Sequence, residues 1–372
     1  MSEDFNYMVD ALKMLAEAFG PSGHEDEVRE LVVAELKKFC SKVLIDTWGN
    51  VIAVRYGRRE DLKLMIAAHM DEIALMVKAI EKNGFIRFTG IGGWSDRVLP
   101  GQRVVIRTRD GRKIYGVIGA KPPHVMTPEE EEKKVIEMKD LFIDVGASSA
   151  EEVRKLGIEI GCVAVMDRDF KVLGNGKVAT CKAFDDRVGV AVMLTAARLL
   201  KNVDTEVSIY FVATVQEEVG LRGAMVSAYR IEPNIGIAID VTVAGDVPGA
   251  PESEFVVRLG RGPAIKVMDR ARLAPLGLIA HPKVKDFLIK VAEEEKIPYQ
   301  LEVLVGGTTD AAAIAFTRGG VPAGVVSIPT RYVHSPVEVI SLEDAFNAAK
   351  LVAAAARRVD ESLVREVSLR EV

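Results

Sequence analysis

The sequence has no long apolar run, no excess of basic residues and few cysteines, and each absence argues against a class of protein. No stretch reaches about 18 uncharged apolar residues, the length that a membrane-spanning helix needs. The 372 residues include 49 Lys and Arg against 54 Asp and Glu, whereas a nucleic-acid-binding protein usually has a basic excess. The three cysteines form no CxxC pair, which predicts reduced thiols in a cytoplasmic protein.

Two further absences concern the start of the chain and its amide side chains. The first residues, MSEDFNYMVD, lack the basic segment and apolar core of a secretory signal, so none is expected. Gln occurs only three times, while charged residues make up 28% of the chain. This bias favours a thermophilic source, although compositional drift would give the same numbers.

The distribution of apolar residues predicts two kinds of structure. They make up 49% of the chain, enough for a sizeable core. Residues 1–73 contain two helical patterns followed by short strands. In residues 74–163, short strand-like runs broken by Gly predict a small β domain, either a barrel or a sandwich. In residues 164–372, strands alternate with helices, which predicts an α/β sheet with helices on both faces and an inserted β domain at 74–163.

Acidic residues and histidines recur beside the ends of predicted strands and the start of one helix. The set comprises His69, Asp71, Asp185, Asp186, Glu217, Glu218, Asp240 and His334. In an open α/β sheet, ligands bind at the carboxyl ends of the strands. We therefore expect most of these side chains to meet at one edge of the sheet.

A set of this composition fits a site for two metal ions. Zinc and similar ions bind imidazole nitrogen and carboxylate oxygen. Two ions need one bridging carboxylate, further ligands for each ion and open positions for water. One bridging Asp, two His and two more carboxylates meet that count. Of the adjacent Glu217 and Glu218, one could be a ligand and the other a general base, while Asp71 could fix the imidazole tautomer of His69.

Each member of the set also has an ordinary structural explanation. Asp185 and Asp186 together could cap the helix that follows them. His69 could be a hydrogen-bonded core histidine, and the two glutamates could be solvated. Asp240 is harder to explain in this way, because an unpaired carboxylate at the end of an apolar strand is costly to bury. The metal hypothesis fails only if all these explanations hold together.

The segment GGTTDAAA at residues 306–313 is open to two interpretations. It could start a helix, with Thr308 or Thr309 as the cap. Alternatively, its backbone N–H groups could bind a substrate carbonyl or terminus, which makes Gly307, Thr308 and Asp310 candidate substrate contacts. Loops within residues 241–275 are candidates for a side-chain specificity pocket.

Six motifs, in order, closely resemble the tetrahedral (TET-type) di-metal aminopeptidases. They are AAHMDEIALMV, KAFDDRVG, VQEEVGLRGA, AIDVT, GGTTDAAA and YVHSPVE. That family includes glutamyl, lysyl and deblocking aminopeptidases and members labelled endoglucanase. The resemblance implies a mixed-sheet, phosphorylase/hydrolase-like catalytic domain and a PDZ-like inserted barrel used in oligomer contacts. It also implies a homododecamer, two zinc or cobalt ions per subunit and short peptides as substrates.

The resemblance implies a role for each residue of the set. Asp185 would bridge both metal ions. His69 and Asp240 would complete one metal site, and Glu218 and His334 would complete the other.

The remaining roles also come from the resemblance. Glu217 would be the general base that takes a proton from water and passes it to the leaving amine. Asp71 would orient His69. The peptide bond between Asp185 and Asp186 would be cis.

Three alternatives to an aminopeptidase stay open at this point. A glycoside hydrolase needs a pair of carboxylates but no histidine ligands, so His69 and His334 argue against it. A non-catalytic scaffold would have no need of an intact ligand set and base. A carboxypeptidase of related design would differ in the terminus from which residues are released.

Overall fold

The computed structural model describes residues 2–125, 127, 135–271 and 277–368. The chain divides into two compact units. The first contains Met1–Asp71, Phe170–Val333 and Val337–Val372, and the second contains Glu72–Asp169 and His334–Pro336. The second unit extends a few residues beyond the range 74–163 that the sequence predicts for the inserted domain.

The helices and strands are numbered along the chain. The described α-helices are α1 (Glu3–Glu17), α2 (Asp26–Leu36), α3 (Ala150–Lys155), α4 (Phe184–Leu199), α5 (Arg222–Ile231), α6 (Pro282–Glu294), α7 (Asp310–Ala315), α8 (Leu342–Arg358) and α9 (Glu361–Val367). The strands of the first unit are β1 (Lys42–Ile45), β2 (Val51–Arg55), β3 (Arg59–His69), β10 (Lys171–Leu173), β11 (Val178–Cys181), β12 (Val207–Thr214), β13 (Ile235–Val243), β14 (Ala264–Arg270), β15 (Gly277–Ile279), β16 (Gln300–Val305), β17 (Ala323–Arg331) and β18 (Glu338–Ser341).

These strands form one mixed sheet in the order β1-β2-β12-β3-β13-β17-β18-β11-β10, with β14 pairing β15, β16 and β17. In its centre β3 lies between β12 and β13 and is parallel to both. Thr214 pairs with His69 across the first contact, and Ala238 pairs with Ala67 across the second. This register brings the carboxyl ends of the three strands to one edge of the sheet, where ligands bind in open α/β sheets.

The sheet separates two apolar cores because successive side chains of a strand point to opposite faces. Leu64, Ile66 and Ala68 of β3 join the core that contains residues of α1, α4 and α8. Met65 and Ala67 join the other core, with residues of α5 and α7. The expectation of helices on both faces of the sheet is therefore confirmed.

The second unit is built around a closed antiparallel barrel. Its strands are β4 (Ala74–Ile80), β5 (Ile86–Ile91), β6 (Arg103–Arg107), β7 (Lys113–Gly119), β8 (Phe142–Asp144) and β9 (Val163–Met166), in the order β4-β5-β8-β7-β6-β9. Leu75, Ile86, Ile106 and Ile143 are among its fully buried side chains. Of the two expected forms, barrel and sandwich, the structure has the barrel, in which no strand edge is left open.

Several local expectations need correction or cannot be compared. The strand that carries Asp240 continues to Val243 instead of ending at Asp240. Strands β14 and β18 were not predicted. The sequence also favours a short helix near residues 127–138, of which 128–134 lie outside the described residues. Of the candidate specificity loops at 241–275, residues 272–275 lie outside them as well. In the described ranges, no helix has the length and apolar character needed to cross a bilayer.

Candidate metal centre

His69 is the last residue of β3, and its ring is almost completely buried, with 2% of its surface exposed. Its Nδ1 lies 3.2 Å from the carbonyl oxygen of Asp71 and 3.4 Å from Asp71 Oδ1. Two acceptors at that nitrogen favour a proton on Nδ1, which leaves the lone pair on Nε2. Asp71 therefore contacts His69 as its expected orienting role requires.

The adjacent Asp185 and Asp186 have different surroundings at the start of α4. Asp186 Oδ1 accepts the N–H of Gly189 at 3.0 Å, and Oδ2 accepts the N–H of His69 at 3.2 Å. Asp185 Oδ1 instead lies 3.1 Å from His69 Nε2. The peptide bond between the two residues is cis, as the resemblance implies. The capping explanation thus applies to Asp186 and leaves Asp185 as the candidate ligand.

Glu217 and Glu218 lie just after β12, in a segment held by its backbone. Asp71 Oδ1 accepts the N–H of Glu217 at 2.9 Å, and Asp71 Oδ2 accepts that of Glu218 at 3.2 Å. Glu217 Oε2 lies 3.8 Å from His69 Nε2. The buried carboxylate of Asp71 therefore contacts both the imidazole of His69 and the backbone N–H groups of the two glutamates.

Three candidate ligands converge from three separate parts of the chain. Single ligand atoms of His69, Asp185 and Asp240 lie within 4.8 Å of one another, and all three residues are buried. A carboxylate oxygen of Glu218 lies within 4.8 Å of the Asp185 ligand atom. The register of β3 with β13 accounts for Asp240, because two residues beyond the Ala67–Ala238 pair the strands carry His69 and Asp240.

The charge at this place is strongly unbalanced. We call Asp185, Asp186, Glu217, Asp240 and Asp310 the acidic cluster, since each of the five carboxyl groups interacts electrostatically with the imidazole of His69. Burial raises the pKa of Asp240 well above its usual value, and the charge of Asp185 adds to the rise. Burial also raises the pKa of Glu217, and Asp240 and Glu218 add to it against the opposing charge of His69.

The same carboxylates favour the charged form of the His69 imidazole. Burial alone would lower the pKa of His69, but the charge of Glu217 and the hydrogen bonds with Asp185 and Asp71 raise it well above its usual value. The arrangement thus attracts a positive charge at Nε2, which a proton or a metal ion can provide.

The donor set fits a divalent metal ion. An imidazole Nε2 and several carboxylate oxygens are the ligands that such ions prefer in proteins. A cation would also offset the mutual repulsion of the buried carboxylates. The fit therefore rests on the chemistry of the ligands and on the uncompensated acidic charge.

His334 follows β17 by three residues and belongs to the second unit as the chain divides. Its Nδ1 lies 2.8 Å from the carbonyl oxygen of Gly93. A carbonyl acceptor at Nδ1 again favours the tautomer whose Nε2 has a lone pair. His334 has a positive φ of 58°, which residues other than Gly adopt infrequently.

The candidate substrate segment is held mainly by Asp269, at the end of β14. Asp269 accepts the hydroxyls of Thr308 at 3.1 Å and Thr309 at 3.3 Å. Thr309 occupies the cap position of α7, but its side chain makes no capping hydrogen bond. The interpretation of the segment as a helix start is therefore confirmed with Thr309 at the cap position, but without the capping hydrogen bond, and the hydroxyl of Thr308 is already engaged within the protein. Gly307 forms an isolated bridge with Arg270.

Asp310 is buried beside the metal candidates. Its Oδ2 accepts the hydroxyl of Thr214 at 2.5 Å, while Oδ1 has no hydrogen-bond partner among the described residues. Burial raises the pKa of Asp310 to about 6. Asp310 therefore offers a buried carboxylate oxygen that has no hydrogen-bond partner among the described residues.

Two buried glutamates were not assigned a role from the sequence. Glu338 Oε2 accepts the N–H of Asp185 at 2.9 Å. Glu25 Oε1 accepts the N–H groups of Gly23 at 2.7 Å and Gln216 at 3.2 Å. Glu338 lies inside the motif YVHSPVE, so the motif marked it without indicating its contact. Glu25 lies in the segment GPSGHEDEVR, which also resembles the family, but no local pattern indicates its contact, since Gln216 is 191 positions away.

The sequence matches the family model described as M42 glutamyl aminopeptidase over residues 49–351. Among curated proteins, the lysyl aminopeptidase of Pyrococcus furiosus is 40% identical over 345 residues, which cover 92% of this chain and 95% of that protein.

Solved structures resemble the chain over nearly its whole length. Aminopeptidase APDkam598 from the archaeon Desulfurococcus kamchatkensis has a TM-score of 0.93 and 52% identity, with 99% of both chains covered. The Pyrococcus horikoshii TET1 peptidase has a TM-score of 0.82 and 35% identity, and covers 95% of this chain and 100% of its own. The latter is described as assembling into a tetrahedron or a large octahedral shell.

Proposed function

The chain belongs to the M42 glutamyl aminopeptidase family, and on that premise we propose that it removes N-terminal residues from short peptides with two bound divalent metal ions. The observation that carries this proposal is the convergence of His69, Asp185 and Asp240 within 4.8 Å. Peptide hydrolysis follows from the family, whereas the number of metal ions and the residue roles are our proposal.

We assign His69, Asp185 and Asp240 to the first metal ion. Asp185 would also contribute to the second, with Glu218 and His334. The proximity of Glu218 to Asp185 supports this sharing, and the family resemblance supports His334. Zinc or cobalt fits one imidazole and several carboxylates.

The protein's own residues would then orient the reactants and move one proton. The metal ions, when bound, would polarise the scissile carbonyl and lower the pKa of the attacking water. Glu217 Oε2 would take a proton from that water and deliver it to the leaving amine nitrogen. Asp71 would keep both participants in place, because it contacts His69 and accepts the N–H of Glu217.

Restriction to the N-terminal residue would follow from the excess of carboxylates. A free α-ammonium group is attracted to such a cluster, whereas an acetylated terminus is not. Asp310 Oδ1, buried and without a described hydrogen-bond partner, is our candidate acceptor for that ammonium group. We keep Gly307 and Thr308 as backbone contacts, because the Thr308 hydroxyl is already bonded to Asp269.

The proposal is tested by metal analysis combined with a substrate panel. We expect about two metal ions per chain, loss of activity with a chelator, and recovery with added zinc or cobalt. At least one of the glutamyl, lysyl and leucyl nitroanilides would be hydrolysed, while its N-acetylated form would not. Metal-independent hydrolysis, or release of residues from the carboxyl terminus, would contradict the proposal.

We also propose that the chain assembles as a homododecamer through contacts that include the inserted barrel. Tyr115 and Val117 of β7 are 66% and 46% exposed, and large exposed apolar side chains favour association. Light scattering should then give about twelve times the 40.5 kDa chain mass. Replacing both side chains with Lys should reduce that mass, whereas replacing the exposed Lys113 with Arg should not.

Two further expectations concern the setting of the enzyme. No disulfide joins the three cysteines, in keeping with the reducing cytoplasm that we propose as its compartment. The scarcity of Gln supports a thermophilic origin. A melting temperature of the metal-loaded protein below about 60 °C would contradict that origin.

A further inference from the structure

Four consecutive backbone N–H groups after β12 are all bound by side chains instead of by backbone. Asn50 Oδ1 accepts the N–H of Val215 at 3.0 Å. Glu25 Oε1 accepts that of Gln216, and Asp71 accepts those of the two glutamates that follow. All three acceptor residues are buried, with at most 2% of their surface exposed.

Gln216 is the position where this segment changes direction. Its φ is +55°, in the left-handed region that a residue with a Cβ adopts at a cost in free energy. Such a conformation persists only when the surrounding structure holds it. The residue immediately after it is Glu217, so the backbone angles at Gln216 direct the side chain of the proposed base.

Glu25 is well placed to hold that conformation. It occupies the cap position of α2, but its side chain makes no capping hydrogen bond to that helix. Its Oε1 instead joins Gly23 N at 2.7 Å and Gln216 N at 3.2 Å. Its Oε2 lies 3.6 Å from Nη2 of Arg29, which orients the other side of the carboxyl group.

We propose that Glu25 is a positioning residue for catalysis, whose Oε1 holds Gln216 in its left-handed conformation and thereby directs Glu217 towards the reacting atoms. This inference rests on the proposed function of Glu217. It assigns to Glu25 the role of a hydrogen-bond acceptor at a fixed distance, and not that of a charge. A displacement of about 1 Å at a catalytic group can reduce turnover about 100-fold, so an indirect contact of this kind can have a large effect.

Two substitutions separate acceptor position from charge. Glu25→Gln keeps the side-chain length and an acceptor oxygen but removes the charge. Glu25→Asp keeps the charge but withdraws the oxygens by one methylene. Matched changes at Glu30, which is exposed on the same helix, provide the controls.

The experiment measures kcat and KM for each metal-loaded variant near pH 8.5, and amide hydrogen exchange over residues 212–221 in the metal-free proteins. For Glu25→Asp we expect kcat to fall about 30-fold with KM changed less than about threefold. Exchange at Gln216 should rise without a comparable rise elsewhere. Glu25→Gln should keep kcat within about threefold of the original, and the Glu30 variants should change nothing.

Several results would overturn the inference. They are unchanged kcat and exchange in Glu25→Asp, equal loss in both Glu25 variants, or an effect confined to KM. Because amide exchange is read without metal or substrate, it tests the contact even if Glu217 is not the base. Full activity of Glu217→Gln would instead contradict the proposed function, whatever the Glu25 variants do.

Discussion

The first unit contains two groups of buried charged side chains that differ in balance. In the acidic cluster, five carboxyl groups interact with one imidazole. In the other group, which we call the Lys266 pair, Lys266 and Glu302 are 1% and 4% exposed, and Lys266 Nζ lies 3.0 Å from Glu302 Oε2. Thr242 Oγ1 lies 2.7 Å from both Glu302 oxygens and 3.1 Å from Lys266 Nζ.

The two groups show that the burial of charged side chains and an imbalance between positive and negative charges are separate properties. The Lys266 pair is buried as deeply as the acidic cluster, but its opposite charges meet directly across the paired strands β14 and β16. A buried pair of this kind is satisfied internally and needs no ligand. In the acidic cluster the imidazole of His69 faces five carboxyl groups, and the charge of Lys266 adds only a smaller attraction on Asp240. Excess charge of one sign, more than burial itself, is therefore what marks a place for a ligand.

The largest expected effect comes from the acidic cluster and falls on turnover. Glu217→Gln should lower kcat about 1,000-fold, because the amide cannot accept the proton from water. Bound metal per chain should stay unchanged, as measured by elemental analysis. Glu254→Gln, at an exposed position, is the control and should keep full activity. Glu217→Gln with full activity would remove Glu217 from the chemistry.

The Lys266 pair should show the opposite response, with loss of stability as the primary effect. Lys266→Met leaves Glu302 buried without its cation and should lower the free energy of unfolding by about 3–5 kcal/mol. The double variant Lys266→Met/Glu302→Leu should recover most of this loss. Denaturant unfolding of both variants measures the difference. A single variant as stable as the original chain would show that the pair is not balanced as described.

Removing one carboxylate from the acidic cluster should stabilise the metal-free protein. Asp240→Asn relieves repulsion between buried like charges and should raise its free energy of unfolding by about 1–2 kcal/mol. The same change should abolish the stabilisation that added zinc confers on the original chain. Thermal unfolding with and without zinc tests both effects. A metal-free variant that is less stable than the original would argue against repulsion in the cluster.

An effect of similar size, seen only as a change in pH dependence, is expected at Glu25. Burial, with the nearby charge of Asp71, raises the pKa of Glu25 to about 7 from an ordinary value of 4.5. The folded state thus binds this proton more tightly than the unfolded state, so stability falls as pH rises from about 4.5 to 7.

Glu25→Gln should remove about 2 kcal/mol of that fall in the metal-free protein. Unfolding measured between pH 5 and 8 provides the comparison with the original chain. Equal slopes for the two proteins would contradict the assignment.

The sequence predicted most of the elements that have a clear periodicity. The apolar run of β3 alternates between two cores, and its last residue, His69, is where a strand-end ligand was expected. Strand β14 was missed because Lys266, Asp269 and Arg270 leave only a short interrupted apolar run. The burial of Lys266 becomes acceptable only through its contact with the distant Glu302. The sequence does not show that Glu302 is the partner of Lys266, because the two residues meet only when β14 and β16 pair.

In the candidate site, the ligands were predictable from the sequence, but the long-range contacts that position them were not. Residue type and position at strand ends indicated the ligands and the base. The contacts that position them join residues far apart in the chain, such as Glu25 with Gln216 and Glu338 with Asp185. No local pattern marks such a pair, because each partner is a common residue whose role appears only in the folded sheet.

The two adjacent aspartates at the start of α4 illustrate how differently neighbouring positions can tolerate change. Asp186 accepts N–H groups from Gly189 and His69 with its two oxygens, so its duty is to supply two acceptors at once. Asparagine has one acceptor oxygen, and serine is too short to span both donors. Neither neutral residue therefore reproduces both contacts of Asp186. Burial, with the charge of Asp240, raises the pKa of Asp186 well above its usual value, so holding a carboxyl group there costs free energy, while Asp185 Oδ1 lies 3.1 Å from the ligand nitrogen of His69.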